Sequence, residues 1–124
     1  MPDAVAPDGS EIDYRVLNAE RASLVEVTLP AGQTSRPVKH RMVEEIWYFL
    51  SGSGEVWVRS PDGTAEETRS VKPGDTIVIP TGCAFQSRAD AAAPLRFLCY
   101  TSPPWPGDDE AVEIEDGGLG KPGV

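Results

Sequence analysis

The stretch "GQTSRPVKHRMVEEIWYFLSG", residues 32–52, decides how this chain folds. It is bounded by two glycines and holds the only histidine, His40, five residues before Glu45. From Glu44 on it is aromatic and β-branched, which favours a strand. By the two-residue period of a strand, Glu45, Trp47 and Phe49 share one face, and Glu44, Ile46 and Tyr48 the other. Gly52 stands where that strand must turn sharply.

Working outward, the same grammar repeats. "EIDYRVLNAERASLVEVTLPAG" alternates through Leu24, Val25, Val27 and Leu29 before a Pro-Ala-Gly turn. "EVWVRS" alternates cleanly and "PDG", residues 61–63, turns the chain. "TAEETRSV" reads as a polar edge strand, and "KPGD" as a second turn. "TIVIP" is an apolar run stopped by Pro80; "AFQSRA" and "LRFLCYT" follow, joined by the loop "DAAAP". Strands spaced by about eight to twelve residues, with turn signals between them, predict an all-β sandwich or barrel almost without helix.

The 124 residues fit one domain, and 40% hydrophobic content fits a globular core without disulfides. A net charge of −9 argues against nucleic acid and against anionic membrane surfaces as partners. No stretch approaches the length of an apolar membrane span, and "MPDAVAPDGSE" lacks a secretory pattern, so a cytoplasmic protein is expected. Cys83 and Cys99 read as small buried hydrophobes kept reduced there.

The first eight or so residues are expected to be disordered. From about Ser102 the chain turns Pro-rich, then acidic, then Gly-rich. Trp105, a large apolar group in a stiff Pro segment, is expected to dock on the barrel. The residues beyond about Gly118 are expected to be mobile, so that deleting them would change stability by well under ~1 kcal/mol.

Two glycine-bounded motifs resemble those of the cupin superfamily. Gly32 is followed by five residues, Val38-Lys39-His40, four residues, Glu45, six residues and Gly52. Gly74 is followed by "DTIVI", Pro80-Thr81-Gly82, Cys83-Ala84 and Phe85, with Ala89 at the last motif position. The resemblance spans about residues 22–102 and implies a single cupin domain over 1–124: a jelly-roll β-barrel of two antiparallel sheets with an acidic tail from about residue 103. It also implies a ligand or metal pocket at the barrel mouth and pairing as a homodimer. Cupin metals are usually held at the positions that here carry Val38, His40, Glu45 and Phe85. Two of those four are apolar, so no cofactor is expected; a divalent metal on His40 and Glu45 remains an alternative, with Cys83 or Gln86 as a further ligand. Gln86, offset by one residue from Phe85, points to the opposite face of its strand.

The resemblance implies that His40 and Glu45 face inward and that Val38, Trp47, Phe49 and Phe85 line the pocket. A carboxylate beside an imidazole in an apolar cavity suits general acid/base work. It equally suits a structural pair or two metal ligands. Arg36, Lys39, Arg41, Arg88 and Arg96 are the basic residues near the mouth, candidates to anchor a ligand carboxylate or phosphate. The expected partner is a small organic molecule. The expected activity is proton transfer (isomerisation, epimerisation or cyclisation); the alternatives are ligand binding without turnover and a metal-dependent oxygenase.

Overall fold

In the computed structural model, which describes residues 1–124, the barrel is built on a seam between β5 (Glu44–Ser51) and β10 (Leu95–Ser102). The two strands run antiparallel with Phe49 opposite Phe97, Trp47 opposite Cys99 and Glu45 opposite Thr101. Alternation puts all six side chains on the inner face, where each is buried. The Trp47 and Phe97 rings stack with centroids 4.3 Å apart, and Phe49 lies 5.0 Å from Phe97. Glu44, Ile46 and Tyr48 face outward and are exposed.

Three strands extend the sheet beyond β10: β3 (Ser23–Leu29), β2 (Glu11–Val16) and β1 (Ala4–Val5). On the other side β5 pairs with β8 (Thr76–Ile79), giving the order β1-β2-β3-β10-β5-β8. The facing sheet joins β4 (Val38–His40), β6 (Gly54–Arg59), β7 (Glu66–Val71), β9 (Ala84–Ala89) and β11 (Ala111–Glu113) in the order β11-β4-β9-β6-β7. Every pairing is antiparallel. The one helical element is a 3-10 turn, Asp108–Glu110. The polar β7 is an edge strand whose side chains are exposed except for Val71, which joins the core.

Leu29, Phe49, Ile79 and Leu95 have no exposure at all; Leu29, Phe49 and Leu95 fill the end of the core away from His40, and Ile79 lies opposite Glu45 on β8. Burying each contributes roughly 1.5–3 kcal/mol. Gly52 takes φ +76° in the β5–β6 turn, with its Cα against the Pro94 carbonyl, so both its conformation and its lack of Cβ are required.

Both chain ends differ from the expected disorder. Ala4 and Val5 pair with Ile12 and Glu11, and Asp8 accepts the N–H and hydroxyl of Ser10. At the other end β11 pairs with β4, and Leu119 is buried against Trp57 and Ala84 on the outside of the five-stranded sheet. Gln86 points to that same outer face. Its amide donates to the carbonyls of Ser35 (3.0 Å) and Gly120 (2.7 Å) and accepts the Leu119 N–H (2.8 Å). A few well-placed apolar and amide contacts outweigh the low apolar content from which mobility was expected.

Candidate functional site

A cavity of about 470 Å³ opens between the two sheets. β4 and β9 give it Val38, His40 and Phe85, while β5 and β10 give it Glu45, Trp47, Phe97, Cys99 and Thr101. The N-terminal segment around Val5 and Asp8 and the strap after β10, with Pro104 and Trp105, form its mouth. Phe49 is not in its wall, contrary to expectation: one strand step deeper than Trp47, it is sealed in the core.

His40 is 5% exposed and sits between two rings, with Phe85 at 4.9 Å and Trp105 at 5.3 Å, both edge to face. Its Nδ1 lies 4.0 Å from Oε2 of Glu45, close enough for charge to matter and too far for a hydrogen bond. That nitrogen is buried and has no hydrogen-bond partner. Glu45 is 7% exposed and firmly held: Oε1 accepts the Trp47 indole N–H at 3.0 Å and Oε2 accepts the Thr101 hydroxyl at 3.2 Å. Trp47 and Thr101 therefore fix the carboxylate, while the imidazole is fixed by ring packing alone. The Cys99 sulfur lies 3.6 Å from the Thr101 hydroxyl. Burial, and secondarily the Glu45 carboxylate, push its thiol well above the ordinary value.

The donor set does not fit a resident metal. Val38 and Phe85, at two of the ligand positions of the resemblance, are direct cross-strand neighbours packed as an apolar pair. No third His, Cys, Asp or Glu joins His40 and Glu45 around a common point. Gln86 is committed to the outer face, and Cys83 lies in the turn before β9, outside the cavity wall.

None of the basic residues considered as ligand anchors lines the cavity. Arg36 donates to the Val124 carbonyl, Arg88 pairs with Glu55, and Arg96 faces Glu26 at 3.7 Å. Lys39 and Arg41 are exposed on and just after β4. Strand parity explains the Lys39 and Arg96 cases: each alternates with a buried neighbour and so points outward.

Sequence reasoning missed several residues of the site. Phe97, Cys99 and Thr101 alternate within "LRFLCYT", a period-two signal that marks them as inward once the strand is recognised. Glu110 left no such signal. It is 3% exposed, and its carboxylate accepts the N–H groups of Met42 and Val43, in the loop that joins His40 to Glu45.

The cupin domain family model matches residues 25–101. Uncharacterized protein MJ1618 of Methanocaldococcus jannaschii is 33% identical over 112 residues, covering 87% of this chain and 85% of that protein. A vicilin-like seed storage protein of Arabidopsis thaliana is 32% identical over 90 residues, covering 73% of this chain but 18% of that much longer protein. Among solved structures, KdgF from Halomonas sp. is similar with a TM-score of 0.67 and 22% identity, over 82% of this chain and 85% of that one, a likeness of fold. With the two motifs in order, the two-sheet barrel and a family match over more than half its length, this chain belongs to the cupin family.

Proposed function

We propose that this cupin binds a small, largely apolar organic molecule in the barrel cavity, and that His40 and Glu45 move a proton on it. The observation that carries this reading is the unpartnered Nδ1 of His40, buried in an otherwise mainly apolar cavity beside a fixed carboxylate. A buried polar atom left unpaired costs about 1–3 kcal/mol, which a bound hydrogen-bonding group would recover. The Glu45 carboxylate, held by Trp47 and Thr101, orients and balances charge; the His40 imidazole is the group free to take and return a proton.

The hold of Trp47 and Thr101 on the Glu45 carboxylate also favours a second reading, binding without turnover. One experiment separates the two. Ligands found by a thermal-shift screen are incubated with the protein in heavy water. Proton transfer predicts deuterium at a carbon of the ligand, lost in His40→Gln and Glu45→Gln; binding alone predicts protection of the fold with no exchange.

Two further expectations belong to this proposal. The free thiols of Cys83 and Cys99 suit a reducing cytoplasm; no helix is long and apolar enough to cross a membrane. Homodimer formation would use the outer face of the six-stranded sheet, where Ile46, Tyr48, Val78 and Tyr100 are exposed. Sedimentation of the wild type against Tyr48→Glu tests it, with a dimer expected only for the former.

A further inference from the structure

The cavity lining includes three acidic residues, the buried Glu45 within and Asp8 and Asp108 toward the mouth, and no lysine or arginine. Around His40 and Glu45 the lining includes the rings of Trp47, Phe85, Phe97 and Trp105. This pairing of acid groups with π-systems selects by charge. An anionic ligand would meet the buried Glu45 carboxylate, pass two further acidic residues on its way in, and find no counter-ion. A neutral one would cover the buried Glu45 carboxylate without balancing it, at a desolvation cost. A cation gains from both the carboxylate and the ring quadrupoles.

The polar atoms set where such a cation would sit. Nδ1 of His40 has no partner, and Oε2 of Glu45 accepts a single hydroxyl, leaving it room for a second donor. The two atoms are 4.0 Å apart. One nitrogen at about 2.9 Å from each would bridge them, with the two hydrogen bonds at roughly a right angle. An ammonium group supplies several N–H donors on one atom, as this geometry needs, whereas a hydroxyl supplies one.

We propose that the cavity takes a small organic amine in its ammonium form, whose nitrogen donates to Nδ1 of His40 and to Oε2 of Glu45 while its hydrocarbon or aryl part lies along Trp47 and Phe97. This names the ligand class for the site proposed above and rests on that reading.

The experiment compares three probes of matched shape: 2-phenylethylamine, 2-phenylethanol and 3-phenylpropionate. Affinity is titrated near neutral pH while the indole N–H resonances of Trp47 and Trp105 are followed. Trp57, outside the cavity, is the internal control. The expected result is that the amine binds at least about tenfold more tightly than the alcohol, with the carboxylate weakest, and shifts Trp47 and Trp105 but not Trp57. Glu45→Gln, checked for folding by near-UV circular dichroism, should reduce the amine's advantage to within about threefold of the alcohol. If that variant does not fold, the wild-type ranking decides alone. An alcohol or carboxylate that binds as tightly as the amine overturns the ammonium assignment and leaves the cavity a ligand site. An amine that binds without moving Trp47 or Trp105 is held at the acidic surface and also overturns it. No shift of either indole with any of the three probes overturns both the assignment and the ligand-site reading.

Discussion

One carboxylate oxygen of Glu110 accepts the N–H of Val43 at 2.8 Å, across 67 residues of chain. The same oxygen accepts the Met42 N–H at 2.5 Å, and the Glu110 carbonyl accepts that of Arg41. Three successive N–H groups of the His40–Glu45 loop thus converge on one residue of the C-terminal strap. Hydrogen bonds to a buried charge are worth about 1.5–3 kcal/mol each, so Glu110→Ala should cost roughly 2–4 kcal/mol after relaxation. Glu110→Gln keeps an acceptor and should cost about half as much. Urea unfolding measures both; equal, negligible costs would mean that the strap does not set the loop.

Deletion of residues 117–124 removes Leu119 from Trp57 and strips two of three partners from the buried Gln86 amide. The burial and amide contributions together predict a loss of about 2–4 kcal/mol. Substituting Gly118, whose Cα lies against the Trp57 indole, should release the same segment without shortening the chain. A truncated chain as stable as the full one would return the tail to the mobile class.

His40 and Glu45 are close but not hydrogen-bonded, and only Glu45 satisfies other groups. Glu45→Leu strands the Trp47 indole N–H and the Thr101 hydroxyl and should cost about 2–4 kcal/mol. His40→Phe removes an already unpaired nitrogen and should cost under ~1 kcal/mol, or stabilise. A double-mutant cycle should give a coupling below ~0.5 kcal/mol. A large coupling would mean that the two groups are bonded in solution.

Cys99 ionises less readily in the folded chain than in the unfolded one, because burial and the Glu45 carboxylate raise its thiol above 9.0. Its contribution to stability is therefore complete below about pH 9. It is lost as pH rises, since the unfolded chain releases a proton that the folded chain retains. Urea midpoints measured from about pH 8 to about pH 10.5 should fall less steeply for Cys99→Ser than for the wild type.

Asp62 behaves oppositely. The Thr64 N–H, with the Ser60 and Thr64 hydroxyls, lowers its carboxyl from 3.8 to about 2. Its favourable effect is present above pH 3.8 and disappears as pH falls through about 2. A carboxyl titration by NMR should find the midpoint near about 2, moving toward 3.8 in Thr64→Ala.

The barrel was legible because its strands obey a two-residue period. Glu45, Trp47 and Phe49 are buried, and Glu44, Ile46 and Tyr48 exposed, as that parity requires. The cavity wall was legible at His40, Glu45, Val38, Trp47 and Phe85, because motif spacing registers those residues on known strands. Depth was not: parity puts Phe49 on the correct face and says nothing of how far down the barrel it lies. The ends were illegible for a different reason. Ala4–Val5 make a two-residue ladder too short to show a period, and Glu110 and Leu119 are held by a few specific contacts with residues far away in the chain, which have no period either.

The placement of β10 between β3 and β5 bears on how the protein is made. Chains emerge from the ribosome N-terminus first. β3 and β5 are therefore translated well before the strand that must lie between them, and each presents a bare edge until residues 95–102 arrive. The six-stranded sheet is assembled by late insertion of its centre, and the pocket mouth is completed later still, when the strap from Pro104 onward follows. Folding should be limited by these distant pairings. A ribosome-stalled chain ending before Leu95 would display two unpaired β-edges, an attractive client for a chaperone that recognises extended segments.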